Sequence, residues 1–167
     1  AYIKNKYPLL YNSLDYYIDL AENAINYIKE VENREGGRQN IRIAHRRLTK
    51  QQTLEEINDP LNIILDHQER DMAEYLKNLF WDNQITEVKL EELLEQIILS
   101  KGNLPRLLAR LLFPSYYFDC YEKIINDIEE EKNILKYTQK TEDYEAFLKE
   151  IWHKAMQKQT LPIPDWL

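Results

Sequence analysis

From Pro8 to about Glu32 the chain has no glycine and no interior proline, and its apolar residues recur at Leu10, Leu14, Tyr17, Ile18, Ala21, Ile25 and Ile28. That spacing is one face of a long α-helix. Gly36-Gly37 punctuates its end.

The residues that follow change period. Ile41 to His45 and Leu61 to Leu65 are short β-branched or apolar runs, the second announced by Asp59-Pro60. A helix is expected to start at Asp66 or His67 and run through Met72, Leu76, Leu79 and Phe80. Another spans about Lys89 to Ser100 and stops at Gly102-Asn103. Leu104 to Phe113 reads as a short, very apolar helix closed by Pro114. One helix is then expected from Tyr116 to about Tyr137, and a last from about Glu142 to Lys158. Pro162 and Pro164 make the tail extended. No internal repeat, low-complexity tract or linker interrupts this order. The expected fold is mainly α (α+β), with one small β-strand pair and residues 1–167 forming one domain.

Composition removes several function classes. At 167 residues, with 44% hydrophobic and 31% charged residues, the chain can bury a sizeable core. A net charge of −7 argues against electrostatic binding of nucleic acid or an anionic membrane. Three glycines leave little for a phosphate-cradling Gly-rich loop. The single cysteine, Cys120, has no partner for an internal disulfide, which points to a reducing, intracellular setting. No apolar run approaches the ~20 residues of a membrane span, and no signal peptide is expected at Ala1-Tyr-Ile-Lys-Asn-Lys6.

A long helix, a strand–loop–strand unit and a helix bundle follow one another in the C-terminal lobe of kinase-like phosphotransferases. There an Asp in the loop accepts a hydroxyl proton, while an Asn and a second Asp hold Mg²⁺ against the phosphates. The sequence blocks are more specific. Leu20-Ala-Glu-Asn-Ala-Ile25, His45-Arg-Arg47-Leu48, Asp66-His-Gln-Glu-Arg-Asp71-Met-Ala-Glu74, Ala109-Arg-Leu-Leu-Phe-Pro114, Tyr117-Phe118 and Ile163-Pro-Asp-Trp-Leu167 occur in order over nearly the whole chain. Together they resemble the C-terminal part of the spore coat-associated YutH-type proteins. Those are relatives of the CotS family of Bacillus-like endospore formers, with the aminoglycoside and choline phosphotransferase fold. The resemblance implies a lobe of a longer protein, without the N-terminal lobe that covers the nucleotide. It also implies other spore coat proteins as partners, and the mother-cell cytoplasm and spore coat as the location.

The resemblance places the phosphotransferase pattern His-Gly-Asp-x-x-x-x-Asn on His45-Arg46-Arg47-Leu48-Thr49-Lys50-Gln51-Gln52. His45 matches. Arg47 stands where the proton-accepting Asp belongs and cannot act as a base near neutral pH. Gln52 stands where the metal-binding Asn belongs. The metal Asp falls near Asp66. The expectation is a degenerate, pseudoenzyme-like lobe with a structural or interaction role and no cofactor. The alternative is an active small-molecule phosphotransferase using Mg-ATP, with Asp66 on the metal. A further alternative, an unrelated all-helical binding protein, requires continuous helix across residues 41–66.

Other candidates divide between function and scaffold. Arg42, Arg46 and Arg47 form either an anion site or a solvated basic edge. Asp71, with Arg70, reads as architectural: a carboxylate in the first helical turn can bind free N–H groups and tie the turn to the loop near His45. His45 reads as a scaffold histidine, His67 as a helix-start residue with an exposed ring, and His153 as a surface residue. The spacing of the three is not that of a metal site. Tyr11, Tyr16, Tyr17, Tyr116, Tyr117 and Tyr121 read mostly as half-buried core edge. Trp166 is expected to dock its tail back onto the helices.

Overall fold

The computed structural model describes residues 5–35, 41–46, 53–99 and 103–157. Arg47, Gln52 and the tail with Trp166 lie outside the described residues. The element order is α1 (Pro8–Glu35), β1 (Ile41–His45), α2 (Leu54–Ile57), a 3-10 turn (Pro60–Asn62), β2 (Ile63–His67), α3 (Glu69–Trp81), α4 (Glu87–Leu99), α5 (Leu104–Leu112), α6 (Ser115–Ile125), a second 3-10 turn (Glu131–Ile134), α7 (Leu135–Thr138) and α8 (Thr141–Met156). The fold is mainly α with one antiparallel strand pair. No helix among the described residues is long and apolar enough to cross a membrane.

Helix α5 is the centre. Asn103 caps it, its side chain accepting from the Arg106 N–H at 2.8 Å, and Pro105 sits in the first turn. All of its residues except Arg110 are buried. Helices α1, α3 and α8 pack around it: Tyr27 and Val31, Leu76, and Tyr144 and Ile151 share its core cluster. The Tyr144 hydroxyl donates to the Leu111 carbonyl at 2.7 Å, satisfying a polar group that burial would otherwise orphan. A smaller cluster joins the start of α1 to α6, where the rings of Tyr17 and Tyr117 stack at 3.7 Å. Helix α1 has no acidic residue in its first turn. Glu131 supplies the missing cap, accepting from the N–H groups of Leu9 and Leu10 at 2.7 and 3.2 Å.

Three sequence expectations are corrected by these elements. The second strand and the helix after it both begin later than read. Asp59 accepts from the Leu61 N–H and winds Pro60–Asn62 into a 3-10 turn, so β2 starts at Ile63. Asp66 and His67 are therefore its last residues, and α3 starts at Glu69. The expected helix from Tyr116 to Tyr137 is also broken. Asp127 takes a left-handed φ of 56°, and the Ile128 N–H returns to the Lys123 carbonyl at 2.8 Å, a helix-ending wrap. The Asp127 carboxylate is held by the Tyr7 hydroxyl at 2.9 Å and Lys6 Nζ at 3.1 Å. The strand pair, finally, stands where an all-helical protein would need continuous helix.

Candidate functional site

An isolated two-stranded sheet is marginal in water, and this one is fastened from α3. Strand register sets Ile43 opposite Leu65 and Arg42 opposite Asp66. The first turn of α3 then supplies two side chains that reach back to β1. Arg70 donates from Nε to the His45 carbonyl (3.1 Å), from Nη2 to the Arg46 carbonyl (2.9 Å) and from Nη1 to Asp66 (2.9 Å). Asp71 accepts from the His45 backbone N–H at 3.0 Å and meets its ring Nδ1 at 2.9 Å. Its carboxylate is thus directed to β1, and the α3 N-cap, Gln68, makes no side-chain cap bond.

Asp66 is the charged hub. Both its oxygens accept from Arg110 Nη2, at 2.8 and 2.9 Å, and Oδ1 also accepts from the His67 N–H at 2.7 Å. Burial alone would raise its pKa. The His67 N–H and the guanidinium groups of Arg70 and Arg110 outweigh that and hold the carboxyl below its ordinary value.

Beside this hub lies a cleft of about 530 Å³ between α1, α3 and α5. Ile25 and Ile28 form an apolar wall, and Lys77, Arg106 and Arg110 line the opposite side with Glu74 and Ser115. Lys77 is buried, and burial pushes its pKa down against the opposing pull of Glu74. Its Nζ donates to Glu74 at 3.0 Å and to Ser115 Oγ at 2.9 Å, while Ser115 donates to Glu74 at 3.0 Å. Arg106 is also buried, with Nη1 2.7–2.8 Å from the ring nitrogens of His67. His67 is accordingly a half-buried strand residue turned to Arg106, correcting its reading as an exposed helix-start side chain.

The structure gathers four of the sequence-derived site residues, His45, Asp66, Arg70 and Asp71, around the strand ends. It leaves Arg42 and Arg46 exposed, with no side-chain ion pair among the described residues. Magnesium needs oxygen ligands turned toward it. Both oxygens of Asp66 face guanidinium groups instead. Sequence reasoning gave no role to Lys77, Arg106, Arg110 or Ser115. A signal was present for the two arginines: they stand four apart in an otherwise apolar helix, and a charge on a buried helix must find a partner.

A family model described as "Spore coat putative kinase YutH" matches residues 6–151. The chain belongs to the YutH family of spore coat proteins. Among YutH relatives, the endospore coat-associated protein YutH of Bacillus subtilis (strain 168) is 31% identical over 175 aligned residues, covering 93% of this chain. The chain spans about half, 51%, of that relative's length. No solved structure matches.

Proposed function

We propose that this YutH-family chain serves the spore coat as a structural or interaction module, and that its kinase-like lobe does not transfer phosphate. The state of Asp66 carries this reading. A phosphotransferase lobe needs that carboxylate for metal, whereas here two guanidinium groups hold it. Arg47 supports the reading from the sequence, since a guanidinium at the proton-accepting position cannot take the hydroxyl proton. The resemblance and the family together favour other coat proteins as partners, and association from the mother-cell side.

The family's description as a kinase favours a second reading, an active small-molecule phosphotransferase. It requires Asp66 to leave both arginines and another residue to act as base.

The test uses the full-length protein from its natural reading frame. It is assayed with Mg-ATP for phosphate release and for transfer to aminoglycosides, choline and sugars. Background turnover is expected. Turnover well above background that is lost in Asp66→Ala establishes the second reading. A fluorescent fusion followed through sporulation tests coat association directly, and diffuse mother-cell signal at all stages overturns it.

A further inference from the structure

We infer that the cleft between α1, α3 and α5 binds a small organic anion, a carboxylate or phosphate ester carried on an apolar body. The inference concerns binding alone and holds whether or not the lobe transfers phosphate.

The charge balance of the lining is the first ground. Four cations, Arg70, Lys77, Arg106 and Arg110, line the cleft against two carboxylates, Glu32 and Glu74. Among the lining side chains the cations outnumber the carboxylates, in a chain whose net charge is −7, with Asp66 standing behind Arg70 and Arg110 and Asp119 acting on Lys77. Glu69 is not among the lining residues and accepts from the Asn103 N–H at 2.6 Å. A local positive excess inside an acidic protein draws an anion to the cleft.

The donors are the second ground. Arg110 spends only Nη2 on Asp66, and its Nε and Nη1 hydrogens have no acceptor among the described residues. Its side chain is 36% exposed. A guanidinium held on one edge and open on another offers the paired N–H groups that match a carboxylate or phosphate. Lys77 and Arg106 are 3% and 4% exposed, so the floor of the cleft is charged and set by its own hydrogen bonds. A preorganised floor costs an incoming ligand little ordering.

The shape sets the rest of the ligand. A volume of about 530 Å³ is far larger than an inorganic ion needs and falls in the range of organic-ligand sites. Ile25, Ile28, Ala109 and Phe113 give the cleft an apolar wall that an inorganic ion would leave uncovered. One ligand with a charged end on Arg110 and a hydrocarbon or aromatic body on Ile25 and Ile28 uses both surfaces.

The test titrates the purified chain with phenyl phosphate and with benzoate by calorimetry, with inorganic phosphate and benzyl alcohol as controls. Saturable binding of at least one aromatic anion is expected, about tenfold tighter than either control. Ile25 is 41% exposed, so Ile25→Glu keeps the fold while setting a carboxylate at the mouth; it should weaken binding about tenfold. Glu32→Gln removes the rim carboxylate near Arg106 and should tighten binding several-fold. Arg110→Gln should abolish it, and because Arg110 also holds Asp66, the two rim variants decide the matter if that variant unfolds. No saturable binding up to about 10 mM of either aromatic anion overturns the inference. So does equal affinity for wild type and Ile25→Glu, which places the ligand elsewhere.

Discussion

Asp71 grips His45 twice, by its backbone N–H at 3.0 Å and by its ring Nδ1 at 2.9 Å. One carboxylate on α3 thereby fixes both the end of β1 and the orientation of its last side chain. Twenty-six residues separate the two in sequence. The contact is half-buried, so its loss leaves a donor poorly satisfied.

Asp71→Ala should therefore cost about 1–3 kcal/mol in urea melts. Asp71→Asn keeps an acceptor for the backbone N–H and should cost less. Glu92→Ala, on an exposed face of α4, should stay within about 0.5 kcal/mol. Equal, negligible costs for Asp71→Ala and Glu92→Ala would show that the grip on His45 does not stabilise the fold.

Asp66 gives the protein a predictable acid limb. Its pKa is lower folded than unfolded, where the ordinary value is 3.8. Below that value the unfolded chain binds the extra proton, so the stabilisation is complete above it and is lost as pH falls through the lower folded value. Urea melts at a series of pH values should show wild type losing stability more steeply than Asp66→Asn below about pH 4, with the two curves converging in acid. Parallel curves would mean that Arg70 and Arg110 do not stabilise the charged carboxylate.

Cys120 should be a slow thiol. It is buried, and burial together with Glu129 pushes its pKa up to about 11. At pH 8 almost none of it is thiolate, the reactive form. Labelling with a thiol reagent should track unfolding: slow in buffer and fast in denaturant. Rapid labelling of the native chain would contradict the packing of α6.

Trp152 tests apolar packing separately from hydrogen bonding. It is buried, meets Tyr27 edge-on at 5.2 Å, and its indole N–H has no acceptor among the described residues. Trp152→Phe removes that orphan donor with part of the ring and should cost less than about 1.5 kcal/mol. Trp152→Ala leaves a cavity and should cost about 3–5 kcal/mol. Similar losses for both in thermal melts would reveal an acceptor for the indole.

Some elements were legible because their signals are local. The stripe from Leu10 to Ile28 predicts α1, and the structure carries that helix from Pro8 to Glu35. Ile41 to His45 is a strand with the expected bounds. The apolar run from Leu104 to Phe113, closed by Pro114, predicts α5, and the structure carries that helix from Leu104 to Leu112. The later start of β2 was less legible, because Asp59-Pro60 signals a turn without giving its length. The break after α6 was hidden altogether. Its apolar period continues through Ile124, Ile125 and Ile128, and only the hold of Tyr7 and Lys6 on Asp127 accompanies the left-handed turn.

By itself the sequence determined the helical class, the place of the strand pair and the family, because periodicity, caps and ordered residue blocks are properties of neighbours along the chain. Tertiary structure alone decided which charges meet. Asp66 and Arg110 are forty-four residues apart, and Lys77 and Ser115 thirty-eight. It also decided which apolar residues stay outside: Ile43 and Leu65, opposite each other in register, are both exposed, while Ala44, next to Ile43 and opposite Ile64, is fully buried. Alternation along a strand says that successive side chains take opposite faces. Which face meets α3, and which cations meet Asp66, depends on how the helices close around α5.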